Sequence, residues 1–287
     1  AVRDPEAAGF LKPMGSVGQI ELVAANIRDD DSVARAVRGA TAVVNLVGIL
    51  AEHGQQTFRA VHVEGSERIA RAARAAGARR LVQMSAITAD PNGDSRYARS
   101  KSAAETVVRT AFKDATIVRP AVVVGDEDDF LNRLGATARI VPAMLVFGGG
   151  EGPRFQPVYV GDVAEALFRI LDRPETAGQV IEIGGPEVLS LRALVRMTLS
   201  ETKRNKLVFG WPWFLTSAMA SIGSFLPVPK PLRITADQVR LLRRDSVLSG
   251  RHRGLRDLGI QPTPIETIAP GVLARYRRRS AVAPVTR

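Results

Sequence analysis

Three residues in this chain have the types and spacing for proton and hydride chemistry: Ser85, Tyr97 and Lys101. Tyr97 and Lys101 stand four apart. On a helix they share one face, where an ammonium can lower a phenol's pKa and steady a bound ribose. Ser85 ends a short apolar run, Leu81 to Met84. If that run is a strand, Ser85 lies at its carboxyl end, where open α/β sheets bind their ligands. So placed, the three could hold a carbonyl and deliver a proton while a nicotinamide carries hydride. A bare Tyr-x-x-x-Lys also arises by accident as a half-exposed structural pair. The preceding strand and terminal serine are what turn it into a nucleotide-site expectation, with catalytic turnover a separate and weaker one.

Around this set the chain alternates strand-like and helix-like stretches. Ile20 to Ala24 reads as a strand, Asp29 to Ser32 as the acid-rich start of a short helix ending near Gly39, and Ala42 to Val47 as a second strand. A helix follows from about Phe58 to Ala76, with Gly77 as its stop. Strand Leu81 to Met84, a turn cluster (Asp90, Pro91, Asn92, Gly93), helix Tyr97 to Thr110 and strand Thr116 to Val118 complete the rhythm. Such alternation predicts βαβ units in a parallel sheet with right-handed crossovers. After Gly125 it breaks: a helix from Asp129 to Ala138, a glycine-rich loop over Gly148 to Gly152, strand Phe155 to Val160, helix Asp162 to Leu171, strand Val180 to Ile183, and a helix capped by Ser190. The glycine-rich loop lacks the strand-turn-helix context of a phosphate site and reads as a surface turn.

With 287 residues there is ample core for one large domain or one and a half. Cysteine is absent, which excludes disulfides, thiolate metal sites and cysteine nucleophiles. The three histidines (His53, His62, His252) are scattered and suggest no metal site. The net charge of +11 is concentrated: from Arg233 onward there are twelve arginines against four acids. A basic tail of this kind suits RNA, anionic lipid or an acidic protein surface. Only Tyr276 interleaves with those arginines, which disfavours single-stranded nucleic acid. No secretory leader is visible; Ala1 to Pro5 reads like a strand's end entering a turn, as though the sequence starts partway through a fold.

Twenty-three residues, Leu207 to Pro229, carry no charge. Gly210, Pro212, Pro227 and Pro229 cut the helical part to about Trp213 to Leu226, roughly 21 Å, shorter than a hydrocarbon core. Within it Phe214, Leu215, Ala218, Met219, Ile222, Phe225 and Leu226 form one stripe, with serines and a threonine mostly opposite. That pattern fits a helix lying in a membrane interface or docked on a partner, and equally a core helix of a small second domain. Thr235 to Gln238 then spells a capping box for a basic helix.

The order of these motifs carries a resemblance. Strand-Ser85, Tyr97-Ala98-Arg99-Ser100-Lys101, Arg119-Pro120, the run Gln156 to Val163, and Ile183-Gly184-Gly185-Pro186 follow one another as in extended and atypical short-chain dehydrogenase/reductases. Within that superfamily, Leu11 to Gln19, Val43 to Gly48, Glu127 to Asn132 and Asp257 to Pro264 most resemble the family of the Rossmann-type accessory subunit of respiratory complex I, NADH:ubiquinone oxidoreductase.

The resemblance implies an α/β fold, a Rossmann-like doubly wound parallel sheet with a smaller, mostly helical C-terminal domain. The boundaries it suggests are 1–146 for the nucleotide domain, rejoined by 155–185, and 186–287 for docking. The family's opening strand and glycine-rich turn have no counterpart here, so its first βα unit is expected to be missing. In the family's pattern Arg3 follows the second strand and would take a ribose 2′-phosphate, which favours NADP(H) over NAD(H). Asn26 and Ile27 would lie beside adenine, Val47 and Gly48 beside the adenosine ribose, and Tyr97 and Lys101 at the nicotinamide ribose. Ser85, Arg119 and Pro120 complete the cofactor side.

The implied function is that of a complex I accessory subunit holding NADP(H) structurally. Its implied place is peripheral on the inner membrane, at the matrix face or its bacterial cytoplasmic equivalent. Its partners would be complex I subunits near the membrane and quinone site, and the anionic membrane surface; nucleic acid is not expected. A soluble NAD(P)-dependent reductase, epimerase or dehydratase of the same superfamily is the alternative, and an RNA-binding regulator a remote third.

Overall fold

The computed structural model describes residues 1–213 and 235–278. They separate into two compact units: 1–119 with 167–181, and 120–166 with the described part of 182–287. Residues 120–146, grouped above with the nucleotide domain, fall in the second unit.

In the first unit, α1 (Asp30–Val37) starts at Asp29, whose carboxylate accepts the Ser32 amide at 2.6 Å. Strand β1 (Ala42–Asn45) pairs in parallel with β2 (Arg80–Met84), and β2 with β3 (Thr116–Pro120); a later strand of the chain, Val180–Ile183, completes the order. Helix α2 (Gly65–Ala75) links β1 to β2, and α3 (Arg96–Ala111) links β2 to β3. These are the βαβ units that the alternating pattern predicts. Ala70, Ala73, Leu81, Val108 and Ile117 form the core beneath the helices, and small alanines let α2 lie close to the sheet. Ile20 to Ala24, expected to be a strand, makes one parallel bridge among the described residues, Ala24 with Val2. The outer edge of β1 carries no ladder among the described residues, and a groove of about 970 Å³ runs along it.

The second unit holds β4 (Val123–Val124), α4 (Phe130–Ile140), β5 (Ala143–Phe147), β6 (Arg154–Phe155) and β7 (Val158–Tyr159). The expected single strand from Phe155 to Val160 is split at Pro157, which has no amide to give to a ladder. Helix α5 (Val160–Asp172) starts in this unit; β8 is the Val180–Ile183 strand already placed, followed by β9 (Leu189–Ser190) and α6 (Leu191–Glu201).

Strand β10 (Leu207–Trp211) was not expected: it opens the uncharged stretch and runs parallel to β5. A five-residue apolar run has no periodicity of its own, and its partner is distant in sequence. The amides of Gly148 and Gly149 both donate to the Trp211 carbonyl, at 2.9 and 3.2 Å, so the glycine-rich loop closes this pair with positive-φ glycines. Helix α7 (Ala236–Leu242) has the expected Thr235/Gln238 capping box, and α8 (Ile265–Leu273) packs with α4 and α6 over Leu131, Leu194 and Leu273. No described helix is long and apolar enough to cross a membrane, and the amphipathic stripe Phe214 to Leu226 lies outside the described residues.

Gly185 shows why its motif needs glycine. A Cβ there would land on the Pro157 carbonyl oxygen, whereas one on Gly271, inside α8, meets nothing within 4 Å. Gly185→Ala should therefore lower unfolding free energy by about 1–3 kcal/mol or more, while Gly271→Ala should be neutral or gain about 0.5–1 kcal/mol. Chemical denaturation of the two variants checks the contrast.

Candidate functional site

Helix α3 carries most of the candidate chemistry, and its start is set locally: the Ser95 hydroxyl accepts the Ala98 amide, so the helix begins at Arg96 with Tyr97 in its first turn. Lys101 follows one turn later and Glu105 one turn after that. Lys101 is 5% exposed; its Nζ donates to the Met84 carbonyl at 3.3 Å and lies 5.9 Å from the Tyr97 ring centroid. Burial lowers the Lys101 ammonium to about 8 against the opposing pull of Glu105, and burial raises the Tyr97 phenol to about 12. At neutral pH Tyr97 is therefore protonated, able to donate a hydrogen bond but poorly matched to act as a base.

Ser85 is engaged by groups of the protein itself. Its amide donates to Val118 at 2.7 Å, and its hydroxyl donates to Glu105 Oε1 at 2.5 Å. Arg119, at the end of β3, grips the same carboxylate with both arms, Nε to Oε1 at 2.8 Å and Nη2 to Oε2 at 2.7 Å. Ser85 and Glu105 are both buried. An ionised carboxylate accepts only, so the serine's single proton points to Glu105. Arg119 likewise turns its fork to Glu105, and Pro120 closes β3.

The residues expected beside adenosine lie together. Arg3, Asn26, Ile27, Val47 and Gly48 all line the groove beside β1, whose apolar floor includes Val43. Arg3 is exposed at its rim, and the neighbouring Asp4 carboxylate caps its own turn, accepting from Glu6 and Ala7. Asn26 accepts the Arg28 amide at 3.1 Å through Oδ1. Gly48 joins the two halves of the site: a Cβ on it would lie 3.3 Å from Lys101 Nζ and 3.6 Å from His62 Nε2.

His62 is the residue that sequence reading passed over. It is fully buried among Phe58, Tyr97, Ser100 and the Gly48–Ile49 loop, with Nε2 accepting the Ile49 amide at 3.0 Å. The available signal was its place between two valines in a helical segment. No group of three metal-ligating side chains occurs among the described residues.

A family model described as NAD(P)H-binding matches residues 1–174. The rat protein named NADH dehydrogenase [ubiquinone] 1 alpha subcomplex subunit 9, mitochondrial, is 33% identical over 267 residues, 93% of this chain and 70% of that one. The chain belongs to this family of NAD(P)H-binding complex I subunits. The Neurospora crassa NADH-ubiquinone oxidoreductase 40 kDa subunit is 29% identical, across 96% of this chain and 72% of its own. Solved structures share the fold. The Streptomyces venezuelae dTDP-glucose 4,6-dehydratase with bound NAD superposes with a TM-score of 0.70 at 20% identity, covering 94% of this chain and 83% of that one.

Two measurements check the electrostatics. Arg119→Leu leaves Glu105 buried without its counter-ion and should cost about 3–5 kcal/mol, whereas the double variant with Glu105→Leu should cost less. Burial first, and the Lys101 charge second, lower His62 from its ordinary 6.5 to about 3. The unfolded chain then binds a proton below about pH 6.5 that the folded chain refuses, so stability falls as pH drops from 6.5 toward 3, by up to about 1.4 kcal/mol per pH unit. Replacing His62 with Phe should flatten that slope in denaturant titrations between about pH 6.5 and 5.

Proposed function

We propose that this chain is an accessory subunit of complex I that holds NADP(H) as a structural ligand and does not turn it over. The observation that carries the reading is the commitment of the Ser85 proton to Glu105. Tyr97 and Lys101 keep the geometry for gripping a ribose, while the second hydrogen-bond donor that carbonyl reduction requires is directed away from the site. Family membership supports assembly with complex I subunits. The concentration of arginines after residue 232 supports a peripheral position on the inner membrane against anionic lipid. We assign it to the matrix face, or the bacterial cytoplasmic face, near the quinone-site junction.

The preference for NADP(H) rests on Arg3, exposed at the groove's rim where a ribose 2′-phosphate would arrive. Such a charge-assisted contact is worth roughly 1.5–3 kcal/mol, about ten- to a hundredfold in affinity. Titration of the purified protein should show tighter NADPH than NADH binding, with Arg3→Ala removing the difference and sparing NADH. Equal losses for both nucleotides would count against the assignment. Tyr97→Phe should weaken retention modestly without altering respiratory NADH oxidation in membranes. Steady NADPH oxidation with small carbonyl compounds, abolished by that change, would favour the reductase alternative.

A further inference from the structure

His62 sits in Arg59–Glu64, a π-helical turn that leads into α2. Wider turns of this kind occur frequently at functional sites. The ring stacks on Phe58 at 5.3 Å between centroids and meets the edge of Tyr97 at 5.6 Å. Its hydrogen bonds run in one direction. Nε2 accepts the Ile49 amide, so the proton of the neutral ring resides on Nδ1, which donates to Ser100 Oγ at 2.8 Å. Ser100 passes its own proton to the Tyr97 carbonyl at 2.8 Å. A continuous chain therefore joins the loop after β1 to the first turn of α3.

We propose that His62 is a positioning residue of the nucleotide site: as a neutral Nδ1–H imidazole it ties the Val47–Gly48–Ile49 loop to α3, so that the adenosine-ribose loop and the Tyr97/Lys101 pair keep one spacing. The inference rests on the nucleotide reading above for its purpose, and on the hydrogen-bond chain for its substance. Gly48 is the point of contact, with Lys101 Nζ and His62 Nε2 both close to where its side chain would be. A loop displaced by an ångström would separate groups that a dinucleotide must span simultaneously. The charged and titratable groups facing the ring are Lys101 and Tyr97 from α3. Beyond Phe58 lies Arg96, paired with Glu52, which also accepts the Phe58 amide. Lys101's charge and the buried setting both favour the neutral ring.

The test uses the whole chain with NADPH as probe and uniform ¹⁵N labelling for spectroscopy of the imidazoles and amides. The parent imidazole should show the Nδ1–H tautomer and no titration between about pH 5 and 8. His62→Phe keeps the ring packing and deletes both hydrogen bonds; it should weaken NADPH by about tenfold or more. Ser100→Ala should weaken it less, and the double variant should be no weaker than His62→Phe alone, since both act through one chain. Ser100→Ala should also shift the Ile49 amide resonance from the far end of that chain. His62→Asn, which keeps a donor toward Ser100, should restore part of the affinity. A ring that titrates near pH 6.5, an Nε2–H tautomer, or a folded His62→Phe that binds like the parent would overturn the proposal. Should His62→Phe fail to fold, an Ile49 amide unmoved in Ser100→Ala would overturn it. If the parent binds no nucleotide, the nucleotide reading fails, while the tautomer and the Ile49 shift still decide the coupling.

Discussion

A single buried carboxylate organises the nucleotide half of this protein. Glu105 lies beneath the carboxyl ends of β2 and β3, gripped by both arms of Arg119 and capped by the Ser85 hydroxyl. A charge so deeply buried persists only if it is paired and hydrogen-bonded, and here a guanidinium and a hydroxyl supply three donors. The arrangement pins helix α3 to the sheet at its third turn. The two turns before it then have little freedom, and they carry Tyr97 and Lys101.

The same arrangement sets the limits of the chemistry. A dehydrogenase site needs donors aimed where negative charge develops on a carbonyl oxygen. In this fold the serine's proton has been drawn to the carboxylate behind it, and the tyrosine lies in surroundings that hold its phenol protonated. The proposed role, holding a nucleotide without turning it over, draws on this arrangement and on the NAD(P)H-binding family to which the chain belongs.

His62 supplies a second tie, from the loop after β1 to the start of α3. Together the two ties fix α3 from both sides, one through ionic contacts and one through a neutral ring. Neither is replaceable by packing alone, because each satisfies polar groups that would otherwise be stranded away from water. The edge of β1 along the groove is, by contrast, unpaired among the described residues.

Much of this architecture was legible in the order of residues. Asp29, Ser190 and Thr235 announce their helices because a cap is a local hydrogen bond, decided within four residues. The alternation of apolar runs with helical stretches identifies the parallel sheet, and the Tyr97/Lys101 spacing identifies one helix face. The convergence of Arg3, Asn26, Ile27, Val47 and Gly48 on one groove follows the motif order. Three features came only with the tertiary structure. The pairing of β10 with β5 depends on a distant partner that no local period reveals. The direction of the Ser85 proton depends on a carboxylate twenty residues away, whose own charge depends on Arg119. The role of His62 depends on what faces each ring nitrogen, and those partners, Ile49 and Ser100, lie on opposite sides of it in the chain. Spacing along a helix is written in sequence because the helix repeats; the aim of a hydroxyl or an imidazole is decided by the charges and amides that folding brings beside it.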